Sequence, residues 1–200
     1  MSGSSSIRSN RLKRSPLAGQ DRERSFGTLC CGCMCRVVTI AIALTLSITG
    51  CGSSVLDDGT ADGLVAAHNE RRASATPTPD PPLPPLAFDD GLSRTAQAWA
   101  ARCVFEHSTE ELGENLAFFS GDASTPGDVV GIWADEDVFY DYAANACDPG
   151  EVCGHYTQVV WRATTRVGCG VSTCTIDGFE GQFWVCNYDP PGNFVGERPY

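Results

Sequence analysis

The sequence predicts one globular domain of the α+β class behind a basic N-terminal leader, and three observations support this. Apolar residues recur at helical spacing in the first half of the domain, whereas short strand-like segments follow Gly154. Helices followed by strands within one domain indicate an α+β fold with an antiparallel sheet. Six cysteines lie after residue 51, an even number that favours disulfide bonds in an exported chain. The chain shows no internal repeat and no coiled-coil heptads.

Three helices are predicted in the first half of the domain. They cover residues 61–73, then Asp89 or Asp90 to Arg102, and then residues 128–142. The residues at core spacing are Leu64, Val65, Ala67, Leu92, Ala96, Trp99, Val129, Ile132, Trp133, Phe139 and Tyr140. The segment 76–85 holds six prolines, which exclude a helix or a central strand, so we expect an extended surface loop there.

Three strands are predicted in the second half, over residues 156–162, 167–174 and 182–188. Asp177-Gly178 is a turn dipeptide between the last two, so these two strands are expected to be neighbours. The segment from Asp189 to Phe194 is rich in Pro, Gly and Asn and is predicted to be irregular.

The N-terminal 50 residues have the features of an export leader. The apolar run from Val37 to Ile48 follows Arg36 and is shorter than the roughly 20 residues that a membrane-spanning helix needs. The segment from Leu46 to Cys51 resembles the bacterial lipobox, in which the cysteine is lipidated and becomes the new N-terminus. The alternative is an ordinary signal peptide in which Cys51 is incidental.

These features divide the chain into four predicted parts. Residues 1–33 are a Ser/Arg-rich extension that lies outside the protein if translation starts at Met34, and residues 34–50 are a lipoprotein signal peptide. Residues 51–59 form a tether, and residues 60–200 form the domain. A lipid on Cys51 makes the membrane a partner and predicts a bacterial cell-surface or outer-membrane lipoprotein, whereas an incidental cysteine predicts a secreted protein.

Charge excludes one class of partner. Residues 51–200 carry 23 acidic residues against seven arginines and no lysine. Phosphate backbones repel such an acidic domain, so nucleic acid is not expected as a partner.

The six cysteines of the domain are expected to form three disulfides, for which 15 pairings are possible. Cys147 and Cys153 flank a loop short enough to close on itself, and Cys169 and Cys186 lie on predicted neighbouring strands. Cys103 and Cys174 then remain for a third bond. The rival interpretation is a zinc site, but the domain lacks both a C-x-x-C motif and a Cys-paired histidine spacing.

Two unusual segments carry a family resemblance. They are Cys153-Gly-His-Tyr-Thr-Gln-Val-Val-Trp-Arg and Val185-Cys-Asn-Tyr-Asp-Pro-Pro-Gly-Asn-Phe. Both are similar to motifs of the CAP superfamily, the cysteine-rich secretory, antigen 5 and pathogenesis-related-1 proteins, and most similar to the plant pathogenesis-related-1 branch. The resemblance covers about residues 60–200 and implies a three-layer α-β-α sandwich. The disulfide pairing of that branch agrees with Cys103–Cys174, Cys147–Cys153 and Cys169–Cys186.

The resemblance also implies a site. His107, Glu114, Glu136 and His155 match the positions that line one open cleft in the family, where two imidazoles hold a divalent metal, typically zinc. His107 and His155 would be the ligands, and Glu114 and Glu136 would act through water. The alternatives are a buried polar network without a metal and a catalytic centre, with Ser108 as one proposed nucleophile. His68, on an apolar helix face, is predicted to be structural.

We therefore expect extracellular binding of an unidentified ligand or partner rather than catalysis. The first alternative is a metal- or Glu/His-assisted hydrolase acting on peptide or cell-wall material. The second is a carrier of sterols or other lipids, since members of the family bind them.

Overall fold

The computed structural model describes residues 56–121 and 124–200, and this part of the chain contains four α-helices. They are α1 (Asp58–Ala73), α2 (Asp90–Ala100), α3 (Pro126–Ala134) and α4 (Gly154–Val159). A 3₁₀ turn, Asp135–Phe139, continues from α3. Among the described helices, none has the length and apolar character needed to cross a membrane. The predicted leader and lipidated cysteine lie outside the described residues.

Four strands form the main sheet. They are β1 (Ala87–Phe88), β2 (Gly113–Ser120), β5 (Arg166–Ile176) and β6 (Phe179–Asp189), and β3 (Tyr140–Asp141) pairs separately with β4 (Ala146–Cys147). The order in the sheet is β1-β5-β6-β2, antiparallel except for the short parallel pair of β1 and β5. Asp177 and Gly178 join β5 to β6 with φ of 52° and 82°, as a type I′ hairpin turn requires. The predicted hairpin is confirmed.

Helices cover both faces of this sheet. Side chains alternate along β6, so that Trp184, Cys186 and Tyr188 pack with α1, α3 and α4 on one face. Phe183 and Val185 pack with α2 on the other face. The three layers confirm the α+β class and the helix–sheet–helix sandwich expected from the resemblance.

Two glycines allow α2 to lie directly on β5. A Cβ atom at Gly168 would lie 2.2 Å from the backbone nitrogen of Ser93, and one at Gly170 would lie 2.3 Å from that of Gln97. The side chains of the same two α2 residues also form hydrogen bonds with the backbone of β5. Ser93 Oγ donates to the carbonyl of Cys169 at 2.6 Å. Gln97 Nε2 donates to the carbonyl of Val171 at 2.9 Å, and its Oε1 accepts from the Val171 amide at 3.0 Å. Side chains of α2 thus form hydrogen bonds with backbone N–H and C=O groups of β5 that are not bonded to a neighbouring strand.

The strand predicted over residues 156–162 is wrong, because the chain forms α4 there. All of Tyr156 to Trp161 are buried, so the segment has no polar face that would show an alternation or a helical period. The free amides of the first turn bond the Glu136 carboxylate, which comes from another element. Sequence periodicity cannot reveal a cap supplied from elsewhere in the fold.

The third helix is shorter than predicted, and β2 is not predicted at all. Thr125 and Asp128 form a capping box that starts α3 at Pro126. The helix ends at Ala134 because the next three residues, 135–137, are acidic, and carboxylates are unfavourable at a helix C-terminus.

The three predicted disulfides are confirmed. Cys103 bonds Cys174 and thereby fastens the end of α2 to β5, across 71 residues of chain. Cys169 and Cys186 lie opposite each other in the β5–β6 register. The third bond, Cys147–Cys153, closes a short loop that leads into α4.

Candidate functional site

His107 and Glu114 form the first polar pair of the site. His107 Nδ1 lies 2.9 Å from Glu114 Oε1, and because a carboxylate only accepts, the ring N–H is the donor. The amide of Ser108 donates to the same oxygen at 2.8 Å, and Asn187 Nδ2 donates to Oε2 at 3.3 Å. The Glu114 side chain is 6% exposed, whereas that of His107 is 65% exposed. A buried carboxylate therefore orients an accessible imidazole.

Electrostatics favour the charged forms of this pair. The hydrogen bond to Glu114 raises the pKa of His107 above its usual value, against the effect of desolvation. Burial alone would raise the pKa of Glu114, but the hydrogen bonds from His107, Ser108 and Asn187 outweigh it and lower that pKa. Glu114 is consequently a carboxylate at neutral pH and a permanent acceptor for the ring.

His155 and Glu136 form the second pair. His155 Nδ1 lies 2.6 Å from Glu136 Oε1, so this ring also donates through Nδ1. Glu136 Oε2 accepts the amides of His155 at 3.0 Å and Tyr156 at 3.2 Å, so one side chain caps α4 and orients the imidazole. The Trp133 ring stacks on His155 with centroids 6.4 Å apart.

Consecutive residues of β2 connect the two pairs. The Glu114 side chain points to the face of the sheet that α2 covers, and the Asn115 side chain points to the opposite face. Asn115 Nδ2 donates to the carbonyl of His155 at 3.1 Å. The structure therefore brings His107 to Glu114 and His155 to Glu136, while no hydrogen bond among the described residues joins one pair to the other.

The donor set suits a metal held by two imidazoles and water. Because Nδ1 of each ring donates to a carboxylate, Nε2 carries the lone pair when the ring is neutral, which is the arrangement of a carboxylate–histidine–zinc site. In the described part of the chain, no three His, Cys, Asp or Glu side chains come close enough to form a metal cluster. Each pair therefore presents one imidazole Nε2 as a candidate ligand.

A search against family models matches residues 65–188 to the cysteine-rich secretory protein family, CAP. The chain belongs to this family. It is 50% identical over 122 residues to the pathogenesis-related protein PR-1 of Medicago truncatula, covering 59% of this chain and 69% of the relative. It is 46% identical over 138 residues to the pathogenesis-related protein 1B of Nicotiana tabacum, covering 67% of this chain and 77% of the relative.

Solved structures agree on the CAP fold. The crystal structure of NaASP2 with Zn2+ matches with a TM-score of 0.61 at 24% identity, over 76% of this chain and 90% of that one. The hookworm platelet inhibitor matches with a TM-score of 0.56 at 25% identity, over 73% and 77% of the two chains. The helix–sheet–helix sandwich is therefore that of a CAP domain.

The third histidine of this CAP domain has a different role. His68 is fully buried, with Nδ1 at 2.7 Å from the carbonyl of Leu64 and Nε2 at 2.8 Å from the hydroxyl of Tyr188. Burial lowers the pKa of His68 to about 4, so the ring is neutral at physiological pH. Both ring nitrogens are bonded within the core, as the prediction of a structural histidine requires.

Two residues near the His107–Glu114 pair were not predicted from the sequence. Gln158 lines a cleft of about 250 Å³ together with His107 and Glu114. Its Oε1 accepts the amide of Gly192 at 3.0 Å, and its Nε2 donates to Thr164 at 3.2 Å. Asn187 orients Glu114 from the neighbouring strand. Both lie in the two family motifs, which is the signal that could have identified them.

Ser108 is not arranged as the nucleophile of a Ser–His pair. Its amide bonds Glu114, and its Oγ accepts from the amide of Glu110 at 3.4 Å. Within the described residues no hydrogen bond connects Ser108 Oγ to His107, the ring that would have to accept its proton.

Proposed function

We propose that this CAP domain is an extracellular binding domain whose cleft holds a divalent metal, zinc, through Nε2 of His107 and His155. The observation that carries the proposal is the orientation of both rings, since a carboxylate fixes each at Nδ1 and neither Nε2 forms a hydrogen bond within the described residues. Glu114 and Glu136 would then fix the tautomers and reach the metal through water. When bound, zinc would supply a cationic centre for an oxygen atom of an extracellular ligand.

Binding is favoured over catalysis by the contacts of the candidate nucleophiles. The six cysteines of the domain are all disulfide-bonded. Within the part of the chain that the structure describes, Ser108 Oγ forms no hydrogen bond with the adjacent imidazole. The hydrolase and the sterol or lipid carrier remain alternatives without a supporting contact among the described residues.

Zinc titration tests the metal proposal directly. We expect the processed protein, residues 51–200, to bind zinc in calorimetry and the double variant His107→Ala/His155→Ala to lose this binding. Glu136→Gln should weaken binding by about 10–100-fold, because the orienting carboxylate is lost.

The matched control is Asp137→Asn, which neutralises the next carboxylate of the same 3₁₀ turn and should leave zinc affinity unchanged. Unchanged zinc binding in the histidine double variant would refute the site and leave the four residues as a structural network.

We further propose that Cys51 anchors the exported protein to a bacterial membrane through a lipid. The support is the sequence that precedes the cysteine. In a bacterial host, the protein should incorporate a labelled fatty acid and fractionate with membranes, and Cys51→Ser should abolish the labelling. Equal labelling of both forms would contradict the assignment.

A further inference from the structure

A proline-rich segment crosses the surface between α1 and β1. It comprises residues 76–85, and its second half is Pro81-Pro82-Leu83-Pro84-Pro85. An extended surface loop is expected here from the sequence, and the structure shows neither a turn nor a bend from residue 82 to residue 86. No function considered above uses this segment.

Proline chemistry restricts the backbone of residues 81–85. Each pyrrolidine ring holds φ at about −65°, and a residue that precedes a proline is restricted to extended values of ψ. Four of the five residues are prolines, and Pro81, Leu83 and Pro84 each precede one. These restrictions favour a polyproline II helix, which has about three residues per turn.

The burial of the side chains follows this three-residue period. Leu86 is 3% exposed, and Leu83, one turn earlier, is partly buried against the same core. The four prolines lie on the other two sides of the helix and are exposed. The leucines therefore attach the segment to the domain, while two ridges of prolines face solvent. These ridges are Pro81 with Pro84 and Pro82 with Pro85.

The backbone of the segment is held along its length. Arg72 Nη2 donates to the carbonyl of Pro84 at 2.8 Å, and Arg162 Nη1 donates to the carbonyl of Pro81 at 2.8 Å. A side-chain amide of α1 bonds both the N–H and the C=O of Leu86, at 2.7 and 3.0 Å. Because the segment is already ordered, a partner that binds it loses little further conformational entropy.

The exposed side of the segment limits the partners that can bind it. Proline has no N–H, so the ridges cannot pair with a strand of another protein as β-augmentation requires. Two charges of opposite sign adjoin the segment, Asp80 by sequence and Arg162 through its hydrogen bond, and the domain is acidic. Neither nucleic acid nor an anionic membrane is attracted to such a surface. The ridges offer pyrrolidine rings, which dock against aromatic side chains.

We propose that residues 81–85 are a docking site for a partner protein that binds polyproline II helices in a groove of aromatic side chains. The aromatic rings of the partner would lie against the proline ridges, while Leu83 stays packed on the domain. None of these residues lines the His107 cleft, so the proposal does not depend on zinc binding.

A titration followed by NMR tests the proposal. The probe is an isotope-labelled WW domain, a domain that binds polyproline II segments in an aromatic groove. It is chosen for binding to the free peptide acetyl-Pro-Pro-Leu-Pro-Pro-Leu-amide, which is the positive control. We expect the processed protein to shift the indole N–H resonance of the groove tryptophan saturably. The same WW domain with this tryptophan replaced by alanine should not bind.

Variants locate the docking site. Pro82→Ala/Pro85→Ala and Pro81→Ala/Pro84→Ala each remove one ridge and should weaken binding of the WW domain about tenfold or more. Both keep the backbone carbonyls, and circular dichroism would check that they fold. The matched control is Pro77→Ala, which changes an exposed proline of the same loop outside the ridges and should leave the affinity unchanged.

Three results would overturn the proposal. The first is binding of the WW domain to the free peptide but not to the folded protein, since the segment would then be inaccessible. The second is an affinity of both ridge variants equal to that of the parent protein. The third is equal binding of the protein to the WW domain that lacks its groove tryptophan.

Discussion

Replacing Arg72 with methionine is expected to lower the free energy of unfolding by about 3–5 kcal/mol. The guanidinium is buried at 2% exposure and donates to the carbonyls of Pro84, Val159 and Trp161 at 2.8–3.0 Å. It thereby connects α1 to the proline-rich loop and to the end of α4. Methionine would fill much of the volume but leave these buried acceptors without a donor.

Urea denaturation of Arg72→Met, followed by circular dichroism, would measure this loss. The adjacent residue provides the control, since the side chain of Arg71 is 42% exposed and pairs with Asp135 at 3.1 Å on the surface. Arg71→Met should cost no more than about 1 kcal/mol, the usual limit for an exposed ion pair. If the two variants lost equal stability, the carbonyl contacts of Arg72 would not be the source of the effect.

Removing the Cys103–Cys174 disulfide, as Cys103→Ala/Cys174→Ala, is expected to cost about 4 kcal/mol of unfolding free energy. The two residues are 71 apart in the chain, so the bond restricts a long loop of the unfolded protein. In the folded protein it also fastens the end of α2 to β5. Guanidinium denaturation of the oxidised variants would give the difference.

The comparison variant is Cys147→Ala/Cys153→Ala, whose sequence separation is only six residues. The same relation between loop length and entropy predicts a cost of about 2 kcal/mol there. A larger loss from the short loop than from the long one would contradict the entropic explanation. It would indicate instead that the short loop stabilises the start of α4.

The four histidine and glutamate positions could be named from the sequence because all four match positions of the family resemblance, although only His155 lies in one of its two long motifs. Their pairing could not be derived from the residues alone. Glu114 and His107 are close in sequence, but Glu136 and His155 are separated by 19 residues and meet only because Glu136 caps α4. Asn187 and Gln158 are uncharged, so apart from their places in the two family motifs nothing in the sequence distinguishes them from structural residues.

The sequence by itself determined the α+β class, the β5–β6 hairpin and, with the family resemblance, the disulfide pairing. These depend on local signals, namely helical spacing, the Asp177-Gly178 turn and the positions of six cysteines along the chain. Only the tertiary structure decided that the segment after Gly154 is a helix and that two consecutive residues of β2, Glu114 and Asn115, contact the two polar pairs from opposite faces of the sheet. The physical reason is that a fully buried segment has no amphipathic period, and its backbone amides are satisfied by a side chain from a distant part of the sequence.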